Sequence, residues 1–65
     1  MNRQDQVTIT ATLTDGQALA LAQFLKRVGL DTYTGLAVDR DEAYVMLDAG
    51  ELLRKALAEQ GYAPR

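Results

Sequence analysis

The sequence predicts an α+β domain, one N-terminal strand followed by two or three helices. Three observations carry this. Val7, Ile9, Ala11 and Leu13 alternate with Thr8, Thr10, Thr12 and Thr14, a period of two that puts apolar groups on one face and hydroxyls on the other. Ala18, Leu21, Ala22, Leu25 and Val28 then recur at helical spacing. Ala43, Met46, Ala49 or Gly50, Leu53 and Ala56 or Leu57 form a second helical stripe.

Each element has its own boundary signals. Residues 1–6 are polar and are expected to fray. Residues 7–14 are the strand. Thr14-Asp15-Gly16-Gln17 fits a capping box, with Thr14 as N-cap and Gln17 reaching back from the third helical position. The first helix should run from about 15 to 28. Lys26 and Arg27 sit in its last turn, where cations suit the helix dipole. Gly29 followed by Leu30 has the form of a left-handed glycine cap with an apolar follower.

Two readings remain open for the middle of the chain. Residues 30–38 form either a short helical turn through Tyr33, Leu36 and Ala37 or an extended segment. In the first reading Asp39 then caps one long helix and Glu42 completes a second capping box. In the second, Thr34–Val38 and Ala43–Leu47 form a hairpin, and a shorter helix starts at Asp48. That alternative is a β-α-β-β-α domain with a small three-stranded sheet. Gly50 bears on the choice, because glycine inside a helix costs about 1 kcal/mol relative to alanine. Glu59-Gln60-Gly61-Tyr62 closes the last helix with a glycine cap and an apolar follower, and Pro64 prevents continuation. Tyr62 is expected to pack back on that helix.

Sixty-five residues make one small domain, 1–65. A chain this short buries only about 60% of its unfolded surface, so it commonly needs disulfides, metals or oligomerisation. Cysteine and histidine are both absent, which removes disulfides and the soft or imidazole metal ligands. Association is the support that remains, and a lone strand leaves an unpaired edge that invites another chain. Val7, Ile9, Ala11 and Leu13 are therefore candidate contacts of a homodimer paired through the N-terminal strand. No apolar signal core and no membrane-length apolar run occur, so the reading is a soluble, cytoplasmic protein.

The chemistry-bearing residues argue against catalysis. Without His or Cys, acid–base work would fall to carboxylates or lysines at perturbed pKa in a pocket, and the small core leaves little room for one. Asp39, Asp41 and Glu42 lack the ligand spacing and central glycine of an EF-hand loop, and serve better as helix caps. No phosphate loop, dinucleotide fingerprint or nucleophile elbow is present. The expectation is a non-enzyme with no cofactor and no metal.

Net charge is −2, the wrong sign for ordinary phosphate binding, so direct nucleic-acid contact is disfavoured. A strand followed by helices does resemble ribbon-helix-helix regulators, whose paired strands read the major groove. The outward face here would be Thr8, Thr10, Thr12 and Thr14, without the Arg, Lys, Asn or Gln that usually reads bases. The acidic segment is the stronger candidate. Asp39, Asp41, Glu42, Asp48 and Glu51 form a potential protein-binding face for a partner with a basic surface, since complementary charge selects partners and speeds encounter. The competing reading is an ordinary solvated surface with helix caps. Glu51 and Lys55 form an i,i+4 pair of stabilising orientation.

Several strings carry a resemblance. They are Leu13-Thr14-Asp15, Phe24-Leu25-Lys26-Arg27, Asp41-Glu42-Ala43-Tyr44, and Ala56-Leu57-Ala58-Glu59 with Gly61-Tyr62-Ala63-Pro64-Arg65. Together they resemble a family of short uncharacterised proteins carried by bacteriophages and integrating mobile elements of proteobacteria. The resemblance transfers no activity and no site residue. It implies a setting in which small acidic proteins often inhibit host defence. The function expected is stoichiometric protein binding, specifically an anti-CRISPR-type inhibitor that blocks a nucleic-acid-binding surface of a host defence complex. The alternative is a dimeric ribbon-helix-helix-like DNA-binding regulator.

Overall fold

A computed structural model describes residues 5–64. Among these residues the fold is three helices: α1 (Asp15–Arg27), α2 (Leu30–Leu36) and α3 (Arg40–Glu59). Both α1 and α2 pack on α3, and they do not pack on each other. The long helix is therefore the spine of the molecule. The expected fraying of residues 1–6 falls, for 1–4, outside the described residues.

The α+β expectation is corrected. No strand or sheet occurs among the described residues, in either the single-strand or the three-stranded form. Residues 7–14 have no regular secondary structure. A ladder needs a second strand, and helix takes up residues 34–36 of one segment considered as partner and all of the other. Residues 30–36 wind into α2, and residues 43–47 lie inside α3. The alternation nevertheless describes a real face. Ile9, Ala11 and Leu13 all line one groove with side chains of α1 and α3. The segment is an arm laid along helices, and Val7, Ile9, Ala11 and Leu13 pair with no strand.

The start of α1 is as the sequence predicts. The Thr14 hydroxyl accepts from the Gln17 backbone N–H at 3.1 Å, and the Gln17 side-chain oxygen accepts from the Thr14 N–H at 3.0 Å. Two otherwise orphaned donors are thereby satisfied. The end of α1 differs. Gly29 sits at φ −126°, in extended backbone, and is not a left-handed cap. Val28 ends α1 by donating its N–H to the Phe24 carbonyl. Gly29 belongs to the next helix, where its carbonyl accepts from Thr32 at 3.0 Å and Tyr33 at 3.2 Å.

At the start of α3, the Asp39 carboxylate accepts from the Glu42 N–H at 2.8 Å. Glu42 reaches back one residue further than a standard capping box requires, accepting from the Val38 N–H at 2.8 Å. The helix then runs unbroken through Gly50, so the long-helix reading holds and the hairpin does not. At its end Tyr62 N–H bonds to the Leu57 carbonyl and Gly61 N–H to the Ala58 carbonyl. With Gly61 at φ 98°, this is a Schellman cap.

Gly50 has a packing role. A methyl group there would run into the Tyr33 hydroxyl, with the ring Cζ at 3.2 Å and a Leu25 methyl at 3.8 Å. The missing side chain is what lets α2 lay its tyrosine across α3. The main core lies nearby: Ala18, Ala22, Leu25 and Leu57, with Leu21 and Tyr62 packed against it.

Candidate functional site

Very little of this chain is buried. Among the described residues five hydrophobic side chains form the buried set, and three of them are alanines: Ala18, Ala22 and Ala43. No large side chain among the described residues is fully buried. The accessible surface is 5525 Å². A compact monomer of this mass would expose about 4,100 Å². The radius of gyration is 13.2 Å, against about 11 Å for a compact chain of this length. Two adjoining parts of α3 carry exposed apolar side chains.

The first is an apolar groove of about 570 Å³. The arm supplies Ile9, Ala11 and Leu13, α1 supplies Leu21, and α3 supplies Ala49, Leu53, Ala56 and Leu57. Gln60 is its one polar lining residue. Much of the stripe that sequence periodicity assigns to the core of α3 therefore faces an open furrow. Leu53 remains 45% exposed and Ile9 84%. The arm touches the furrow without filling it. A smaller groove of about 410 Å³ shares Ile9, Ala11, Leu13, Leu57 and Gln60 and is also bounded by Thr10, Ala18 and Tyr62.

The second is the outward stripe of α3. Asp41, Val45, Asp48 and Leu52 are spaced four, three and four residues apart, which aligns them along one side of a helix. Val45 is 67% exposed and Leu52 70%. Tyr44, between the two aspartates in sequence, is also exposed.

The five acidic residues singled out from sequence therefore divide. Asp39 and Glu42 are occupied as helix caps. Glu51 lies 3.6 Å from Arg54 in an i,i+3 ion pair, in place of the expected pair with Lys55. An exposed pair of this kind contributes little. Asp41 and Asp48 remain on the exposed stripe, one heptad apart, flanked by apolar side chains. Sequence reasoning gave these two carboxylates a common face but missed Val45 and Leu52 beside them. It also missed the groove, whose signal was a predicted core stripe with too few residues elsewhere to cover it.

The chain's far end is tied to its first helix. The Tyr62 hydroxyl donates to the Asp15 carboxylate at 2.6 Å. That bond, partial desolvation and the negative charge of Asp15 all hold the Tyr62 pKa above the ordinary tyrosine value. Tyr62 thus packs on the core at the end of α3, as expected, and adds a bond to α1. Among the described residues no group of three or more acidic side chains is placed to hold a metal ion, and no helix is long and apolar enough to cross a membrane.

Residues 1–65 match the family of unknown function DUF7706, so the chain belongs to that family. Comparison with curated proteins and with solved structures gives no match.

Proposed function

We propose that this member of a family of unknown function acts by stoichiometric binding to another protein and catalyses nothing. The observation that carries the reading is the outward stripe of α3. Val45 and Leu52 stand more than two-thirds and 70% exposed on the same side as Asp41 and Asp48. Exposed aliphatic side chains interleaved with carboxylates suit a partner surface that is apolar at its centre and basic around it. Tyr44 adds an aromatic of the kind enriched in interface hot spots.

The specific partner we propose is a nucleic-acid-binding surface of a host defence complex, with the protein an anti-CRISPR-type inhibitor from a mobile element, acting in the cytoplasm. Its support is the charge logic. A groove built for phosphates is basic, and an acidic stripe competes for it. The ribbon-helix-helix alternative has lost its main support, because the ribbon it needs is not formed among the described residues.

The test is displacement. Purified protein is titrated into a guide-loaded CRISPR effector complex holding a labelled target duplex. The duplex should leave at about one protein per complex, and the Asp41→Lys/Asp48→Lys variant should leave it in place. Equal displacement by that variant sinks the acidic-stripe mechanism. Tight, steeply salt-dependent binding of duplex DNA by the protein alone would overturn the reading as a whole.

A further inference from the structure

We infer that the groove between the N-terminal arm, α1 and α3 is the interface of a homodimer, covered by the same face of a second copy of this chain. The mode is helix-face packing, with no strand ladder.

Three observations lead there. The first is area. The chain exposes 5525 Å², roughly 1,400 Å² more than a compact monomer of its mass. A standard interface removes about 800 Å² from each partner. One dimer contact of ordinary size fits within that excess.

The second is the core. Ala18, Ala22, Leu25, Ala43 and Leu57 are a small buried set among the described residues. Domains of this size without disulfide or metal commonly complete their core by association. Here the continuation is already laid out. Ala49, Leu53 and Ala56 extend the α3 stripe beyond Leu57, and Leu21 extends the α1 stripe. These side chains sit at core positions of their helices with open space opposite them.

The third is chemistry. The groove carries no charged side chain, and Gln60 is its one polar residue. Its occupant must be apolar and uncharged over the same area. The face itself meets that description. A two-fold axis places a patch against its own copy, so Leu53 and Leu13 of each chain would fill the furrow of the other. Asp41 and Asp48 lie to the side of the groove on α3, which leaves the proposed acidic stripe at the rim of the dimer.

The experiment is solution mass by sedimentation or light scattering between about 1 and 100 μM, with helicity followed by circular dichroism. The wild type should reach twice the 7.1 kDa of one chain. Leu53→Glu, in the groove wall, should raise the dissociation constant at least tenfold with helicity retained above the transition. Ile9→Glu alters a side chain that is 84% exposed and therefore reports on association even where Leu53→Glu unfolds. Leu36→Glu, at a leucine of α2 that is 75% exposed and outside the groove, should leave the dimer intact. A wild type of single-chain mass at 100 μM overturns the inference. So does a dimer that both groove variants leave unchanged, or one that Leu36→Glu breaks as readily as Ile9→Glu.

Discussion

Gly50 offers the sharpest test of the packing described above. Glycine is a poor helix residue, and replacing it by alanine in a helix interior ordinarily stabilises by about 1 kcal/mol. In this chain the new methyl would meet the Tyr33 hydroxyl and lie 3.2 Å from its Cζ. The Tyr33 ring must shift or the two helices must move apart to make room. Overpacking of this sort costs about 1–3 kcal/mol. The two effects oppose each other. The net expectation for Gly50→Ala is destabilisation of up to about 2 kcal/mol, built from those two ranges. The single variant alone is a weak test because the terms partly cancel. The informative measurement is a double-mutant cycle with Tyr33→Leu, which removes both ring and hydroxyl. In that background Gly50→Ala should stabilise by about 1 kcal/mol, giving a coupling of about 1–3 kcal/mol between the two sites. Thermal or urea unfolding at one fixed protein concentration resolves this, since about 1 kcal/mol moves Tm by roughly 4–8 °C in a domain of this size. If Gly50→Ala stabilises equally in both backgrounds, Tyr33 does not occupy the space above Gly50, and the account of α2 packing fails.

Other expectations concern single contacts. Thr14→Ala and Asp39→Ala each remove an N-cap acceptor and should each cost about 1 kcal/mol, read as a lower urea midpoint; no loss in either would mean that the cap bonds do not persist in solution. Gly61→Ala forces a side chain into the left-handed region at φ 98° and should destabilise by about 1 kcal/mol or more, whereas Gly29→Ala, at φ −126° with open space around it, should change stability far less. Tyr62 gives a pH dependence. Its folded pKa is raised, so the neutral phenol is the stabilised form. The contribution is complete below the unfolded value of about 10 and is lost as pH rises through the folded value. Tyrosinate absorbance should show Tyr62 titrating above the ordinary tyrosine value. Asp15→Asn should bring it down, and an unchanged titration in that variant would exclude the bond to Asp15 as the cause.

How much of this was legible in the residues depended on range. The Thr14/Gln17 box, the Asp39 cap and the Gly61–Tyr62 closure are contacts within a few residues of each other, and their spacing states them in advance. Alternation over residues 7–14 picks out Ile9, Ala11 and Leu13, which line one groove. It is silent on what that face meets, because a ladder and an arm against helices impose the same period. The strand expectation failed there. Gly29 misled because a glycine between two helices serves either the end of one or the start of the next, and only the path of the chain decides. Gly50 argued for a break by its intrinsic cost. Its actual reason is a tyrosine from another helix, a contact no local pattern encodes. The acidic segment was legible as a group, but its division into two caps, one ion pair and two outward carboxylates required the geometry.

The attachment of α2 has a dynamic consequence. This helix has seven residues, none of them buried, and its N-cap Gly29 offers no side-chain bond. A helix so short does not persist on its own propensity. What holds it is its packing on α3, centred on the Tyr33 ring over Gly50. Its amides should therefore exchange with solvent through a local opening far smaller in free energy than global unfolding, while those of α1 and the middle of α3 stay protected. The segment from Leu30 to Leu36 would then behave as a separate cooperative unit held by its packing on α3, able to detach and re-dock while the pair of longer helices remains folded.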